Sequence, residues 1–401
     1  MFNSMKFKVI LFGFIFTFFS SFGQSYFLGL FNSSIREALS ITHGQFGTIY
    51  ASATLCSSFL LIWVGKKIDD VNIFKFAFLV TILLSFACFF FSRVSSILLL
   101  FIAIFLMRFS GQGMMSHTAS TTISRYFTIT RGKALSISWF GLSSAEFILP
   151  ILMVYLLTII DWRNLWLIFA IISLLVLPVV SFLLIKNLKL DSREINDENV
   201  NEIIIKQWKR IEVIKDYRFY IVCLNMIAMP WIFTGFAVFQ SFIQTSEGWG
   251  PYIVAQSFMS YSILSVLTLF VSGFLIDKFT SRKLLIYMNI PLLIAVIILF
   301  YFDSSITAFI FLGLVGISNG FANILGSSTW AELYGVKHLG SIKALTTALM
   351  VFATAFGTAL FGFLIDIGFS VSDIATVSGA YIFSSLMMLF LIRKKLNPVI
   401  I

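Results

Sequence analysis

Charge is what this chain lacks. Only 11% of its 401 residues are Asp, Glu, Lys or Arg, where a soluble domain carries about 25%. A water-soluble globule of this length is thereby excluded. Cysteine is nearly absent too. Cys56, Cys88 and Cys223 are the only three, and each falls inside a hydrophobic run. Their spacing fits neither a metal site nor a disulfide framework, so each reads as a small apolar side chain. Three scattered histidines supply no catalytic cluster, so the chain is not expected to be an enzyme. No Gly-x-x-x-x-Gly-Lys-Ser/Thr stretch occurs, which argues against direct use of ATP. No cofactor and no metal is implied. Ten-residue segments of alternating polarity, the mark of a membrane β-barrel, are also missing.

What the chain has instead is apolar length. Hydrophobic residues make up 59% of it. They gather in runs of roughly 20, each able to cross a ~30 Å hydrocarbon core as a helix. The runs predict twelve spans. Six lie in the first half, at 9–31, 45–64, 73–92, 95–118, 134–159 and 164–185, and six in the second, at 218–242, 252–275, 284–302, 305–328, 340–364 and 374–392. The first run is too long for the apolar core of a signal peptide and fits as the first span.

The basic residues give these spans a direction. Twenty-four of the 28 Lys and Arg residues fall in alternate loops and at the two ends. The opposite side holds only Arg36, Arg93 and Arg163, and Arg108 lies within a span. By the positive-inside rule both termini are cytosolic. The chain reads as a multi-pass protein of the plasma (inner) membrane. Its net charge of +10 is accounted for in this way, and no nucleic acid partner is needed.

One long polar stretch, 186–217, separates a bundle at 1–185 from a bundle at 218–401. In it Val200, Ile204, Trp208 and Ile211 share a helical face that could lie on the inner membrane surface. The two halves also share a pattern. Gly65-Lys66-Lys67-Ile68-Asp69 is matched 208 positions later by Gly273-Phe274-Leu275-Ile276-Asp277, both followed by basic residues. The expected fold is an all-α membrane protein of two pseudo-symmetric six-helix bundles, with a passage where they meet.

The 6 + 6 layout, the long middle loop and the duplicated Gly-x-x-x-Asp loop resemble the major facilitator superfamily, over essentially the whole chain from Lys8 to Lys395. The second copy is similar to the family motif at Gly273, Asp277, Lys278, Arg282 and Lys283. The first keeps Gly65 and Asp69 but has Asp70 where a basic residue is usual, and Val71-Asn72 in place of a Gly-containing turn. The resemblance implies a conformational latch, each aspartate meeting a helix N-terminus of the other half. The candidate helix ends are near Gly340 for Asp69 and near Gly132 for Asp277. Arg125-Tyr126-Phe127, Arg131-Gly132-Lys133-Ala134-Leu135 and Trp330-Ala331-Glu332-Leu333-Tyr334-Gly335 look like bacterial carriers near the monocarboxylate transporter branch. The Asp/Arg pair that this branch often has in its eighth helix does not occur in 252–275.

Few ionisable groups lie deep in the spans. Arg108 is about halfway along the fourth and Glu146 about halfway along the fifth, at similar depth. An isolated charge there costs roughly 2.5–3.5 kcal/mol on insertion scales. Pairing with each other, or facing a shared aqueous space, would offset that cost. Arg108 can hold an anion through its planar fork. A carboxyl in an apolar site binds a proton more readily than one in water, which suits Glu146 to proton coupling. Gln112 shares a face with Arg108. Gln24 and Tyr26 interrupt the first span, Asn319 and Asn323 the tenth, and Pro230 with Trp231 marks a kink in the seventh. These can line a cavity or serve as interhelical hydrogen bonds. His117 reads as a loop contact, and Glu332 with Lys337 as a loop ion pair. Asn32-Ser33-Ser34 fits the glycan acceptor pattern.

The expectation is a secondary active transporter. It would move a small organic anion by alternating access with proton symport. Efflux of drugs or hydrophobic or cationic compounds in exchange for protons is the alternative. The partners are then a small-molecule substrate, protons and the lipid bilayer, and a monomer is expected.

Overall fold

A computed structural model describes residues 5–68, 70–127, 131–188, 206–335 and 337–399. Every regular element among the described residues is helical. Among these residues twelve helices are long and apolar enough to cross a membrane. The first six are Met5–Gly29, His43–Ile68, Ile73–Ser92, Ile97–Tyr126, Gly132–Leu157 and Trp162–Ile185. The second six are Tyr217–Val238, Ile253–Ile276, Ser281–Tyr301, Ser305–Tyr334, Leu339–Asp366 and Val371–Lys395. In hydrocarbon every backbone polar group must be met within the protein, which leaves the helix as the spanning form. Large apolar side chains such as Leu98, Leu175, Phe274 and Leu391 stay exposed, as lipid-facing surface does.

Several span ends are capped by local sequence. Thr42 and Gln45 form a capping box before the second span. Asn72 accepts from the backbone N–H of Phe74 and Lys75 at the start of the third. Ser96 and Asp161 cap the fourth and sixth, and Ser370 with Asp373 boxes the twelfth. Each cap satisfies donors that the first turn leaves open.

The chain divides into two compact units. One is Met1–Arg193 with Ala237–Phe242, the other Glu194–Phe236 with Ile243–Ile401. In the first unit the first span packs on the fifth, the second on the fourth and the third on the sixth. The second unit repeats the scheme, eighth on tenth and ninth on twelfth. There the seventh meets the eleventh where Gly357 presses on the Trp231 carbonyl. The register repeats as well. The fourth and tenth spans are both 30 residues long, and they begin and end 208 positions apart.

Three departures from plain spanning helices matter. The first span breaks at Ser21–Gly23, one 3-10 turn, and Gln24 is extended (φ −81°, ψ 151°). The fourth winds as a π-helix over Arg108–Met115, a form that concentrates at functional sites. The ninth breaks at Asn289 ahead of Pro291. There Asn289 Nδ2 donates to Asn225 O at 2.6 Å, and the freed Leu292 N–H donates to Ser318 Oγ at 3.0 Å.

The helical face expected in the linker fails from Lys206 onward, and Val200 and Ile204 lie outside the described residues. Lys206 to Lys209 run without helix and a short helix follows at Arg210–Lys215. The backbone there bonds to other segments rather than to itself: Lys206 N donates to Val399 O at 2.8 Å and Trp208 N to Tyr334 O at 3.0 Å.

Candidate functional site

The break in the first span sets the geometry of the first unit. Opening a helix inside a membrane frees carbonyls, and each needs a donor. Arg108, only 3% exposed, provides one. Its Nη1 donates to Gly23 O at 3.1 Å and to Ser25 Oγ at 3.2 Å. The Tyr50 hydroxyl donates to the same Ser25 oxygen at 3.0 Å. The guanidinium carbon stands 5.4 Å from the centre of the Tyr50 ring, within cation–π range. Arg108 Nε has no hydrogen-bond partner among the described residues. A donor of a buried, always charged group thus remains open to a further acceptor.

Glu146 is buried in the fifth span. Of the two arrangements expected for Arg108 and Glu146, direct pairing is not found: among the described residues no ion pair joins them. Arg108 is turned to the freed carbonyl instead. Glu146 lies within electrostatic reach of the Tyr26 phenol. Tyr26 is buried, and its carbonyl accepts from Gln240 Nε2 at 2.8 Å. Gln24 stands at the break itself, and Gln112 is half-buried in the π-helical stretch. The structure therefore brings Arg108 to the break that bears Gln24 and Tyr26. Ser25, Tyr50 and the Gly23 carbonyl complete the cluster without having been singled out from the sequence. Ser25 and Gly23 flank Gln24, so the polar interruption around that residue was their signal. Tyr50 had none.

In the second unit Trp231 is buried, edge-on to Phe356, Phe361 and Tyr381. Its indole N–H has no partner among the described residues. Pro230 lies inside the seventh span as expected. Asn319 Nδ2 donates to Ser265 Oγ at 2.9 Å, tying the tenth span to the eighth. Asn323, one turn on, is exposed.

The duplicated loops are pinned within their own units. His117 Nε2 and Gly65 O are 3.0 Å apart, the loop contact expected of His117. Arg125 Nη1 donates to Ile68 O at 3.2 Å. Asp69 lies outside the described residues, and so does the side chain of Asp277. The Lys278 ammonium lies over the Phe279 ring at 5.3 Å. Neither glycine is required by crowding in this structure. An added Cβ would meet the His117 ring at 3.5 Å from Gly65, or Ile324 Cδ1 at 4.0 Å from Gly273. The Glu332–Lys337 pair is also corrected. Glu332 accepts from Ser281 N at 2.8 Å and from Arg282 N at 3.3 Å, where a carboxylate at a helix start meets open donors and the positive end of the dipole. Asn32 is fully buried and donates to Val238 O, which rules out the acceptor role its pattern suggested.

Thr280 is strained. Its φ of 68° with ψ 148° is a region that β-branched residues avoid and glycine enters freely. Strain of this kind costs about 1–3 kcal/mol, while glycine adds roughly 0.5–1 kcal/mol of unfolded-state entropy. T280G is therefore expected to raise the thermal unfolding midpoint by a few degrees, read in detergent by intrinsic fluorescence. A lowered midpoint would show the Thr280 side chain to be worth more than its strain.

The family model described as Major Facilitator Superfamily matches residues 13–358. No curated protein matches the chain. Among solved structures, the nucleoside transporter NupG is 14% identical with a TM-score of 0.72, over 98% of this chain and 99% of that one. A bacterial homologue of the human lysosomal transporter Spinster, inward-facing and occupied, is 13% identical with a TM-score of 0.69, over 98% and 95%. Likeness at this identity is a likeness of fold.

Proposed function

Because the chain belongs to the major facilitator superfamily, a family of transporters, we propose that it moves a small organic anion across the plasma membrane by alternating access, in symport with protons. Both termini are cytosolic in this reading, and the working unit is a monomer. The observation that carries it is Arg108: a buried guanidinium in a bent part of the first unit, with Nε left open. A carboxylate substrate completes its fork. Glu146 carries the proton, and Gln24, Tyr26 and Gln112 orient the solute. Trp231, Asn319 and Asn323 are secondary candidates for substrate contact. Gly65, Asp69, Gly273, Asp277, Lys278 and Arg282 serve the conformational cycle.

The test is uptake of labelled carboxylates into proteoliposomes under an inward proton gradient. In E146Q the gradient is expected to stop driving accumulation, while exchange of substrate for substrate persists. Unchanged gradient-driven accumulation removes Glu146 from the mechanism. One observation favours efflux of cations in exchange for protons as a second reading: Glu146 has no counter-charge among the described residues. Under it, the chain protects cells against toxic cations and E146Q abolishes that protection, with no carboxylate uptake in either protein.

A further inference from the structure

The end of the linker and the last residues of the chain are knit together in the second unit. Beyond the backbone contacts of Lys206 and Trp208, Lys337 N donates to Gln207 Oε1 at 2.9 Å. Arg218 Nε donates to both oxygens of Asp216, at 3.1 and 2.9 Å, and its Nη1 reaches Lys395 O and Asn397 O. Arg282 Nη1 donates to Asn397 Oδ1 at 3.1 Å. These two arginines are consumed by the scaffold. Glu212 is occupied as well, by the Lys206 ammonium at 2.8 Å and the Lys209 N–H. Those two contacts hold its carboxyl below the ordinary range.

What the scaffold leaves outward differs in character. The linker helix Arg210–Lys215 buries Val213 alone. Ile211 is 70% exposed and Ile214 is exposed beside it. The Tyr220 hydroxyl donates to Ile214 O at 2.8 Å, so this apolar strip runs on into the exposed Tyr217 and Tyr220 of the seventh span. Lys209, Arg210 and Lys215 surround it, all exposed and with no ion pair among the described residues. The positive-inside rule accounts for basic residues on this side. It does not account for an isoleucine held open at the edge of a lipid-facing strip.

We propose that the linker helix is an interfacial docking surface for anionic phospholipids. Ile211 and Ile214 enter the boundary between headgroups and acyl chains, and Lys209, Arg210 and Lys215 take the phosphates. Continuity with a lipid-facing span selects a membrane over a soluble partner, since only a bilayer covers both. Among the described residues around this strip the unpaired charges are all positive, which selects anionic headgroups. The linker is thereby fixed in the plane of the bilayer at the entrance to the seventh span.

The experiment uses the full chain, purified from mixed micelles of phosphatidylglycerol and phosphatidylcholine, with retained lipids counted by native mass spectrometry. The wild type is expected to keep phosphatidylglycerol in clear excess. K209Q/R210Q/K215Q is expected to lower that excess roughly tenfold or more. K66Q/K67Q/K75Q, an equal loss of charge in the first unit, is expected to leave it within about twofold. I211S keeps every charge and is expected to lower retention by a smaller factor, which keeps the proposal testable if the triple variant does not fold. Equal retention of the two lipids by the wild type overturns the proposal. So does an equal loss in the two triple variants, which would mark net charge alone, or full retention in I211S where the linker triple variant cannot be purified.

Discussion

R108A is expected to lower transport by at least about thirtyfold and to destabilise the protein as well. The two losses have separate causes. In binding, removing one partner of a buried charged hydrogen bond costs about 2–5 kcal/mol, and 1.4 kcal/mol is a factor of ten. In folding, the Gly23 carbonyl and Ser25 lose a charge-assisted donor. A buried group left unmet costs about 1–3 kcal/mol. R108K separates them. A lysine ammonium can still donate to Gly23 O, but it has no planar fork and nothing equivalent to the open Nε. The unfolding midpoint of R108K is therefore expected to recover toward wild type while uptake of labelled carboxylates does not. Full recovery of uptake in R108K would mean that a point charge suffices, and the fork would have no part in recognition.

The frame of the molecule was legible because it follows one-body rules. Apolar length sets the spans. A single duplicated loop fixed an offset that the structure keeps through whole spans. The limits of the fourth and tenth spans were set too short. Both run on to Tyr126 and Tyr334, since a helix that satisfies its own backbone need not stop where apolarity does. The interior was less legible because it depends on distant partners. Nothing local says that the first span breaks at Gly23, because the donor that meets the break comes from Arg108, 85 positions on. Arg108 and Glu146 were rightly placed at depth, yet two opposite charges in one bundle invite a pairing that the structure does not make. Glu332 looked like a partner for Lys337 only as long as the donors at Ser281 were unseen.

The same offset shows how far the halves have diverged. Arg108 corresponds in register to Gly316, which presses on the Tyr261 carbonyl, and Glu146 corresponds to Thr354. Gly23 corresponds to Trp231, which follows the proline inside the seventh span. Duplication has kept span length and pairing while leaving deep charge in one unit only. A substrate that needs a buried guanidinium is therefore read asymmetrically, from the first unit.

That asymmetry rests on a close crossing, and breaking the crossing is the severest test of it. A Cβ at Gly23 would run into Met107 O and stand 2.5 Å from Gln112 N. A Cβ at Gly111 would stand 2.7 Å from Gly23 N and 2.9 Å from Gly23 Cα. These neighbours are backbone, so no rotamer change relieves them. Overpacking of this kind costs typically about 1–3 kcal/mol and occasionally more. G111A is expected to lower the thermal unfolding midpoint by about 5–10 °C, at roughly 2–4 °C per kcal/mol, and G23A by at least as much. G326A is the control. Nothing lies within 4 Å of the Cβ it would add, and alanine is favoured in a helix by about 1 kcal/mol, so its midpoint is expected to hold or rise. Because pushing the spans apart also draws Gly23 O away from Arg108, any G111A protein that still folds should lose uptake out of proportion to its lost stability. A G111A protein with wild-type midpoint and wild-type uptake would mean that the break in the first span needs no support from the fourth, and Arg108 would then be free of the role assigned to it here.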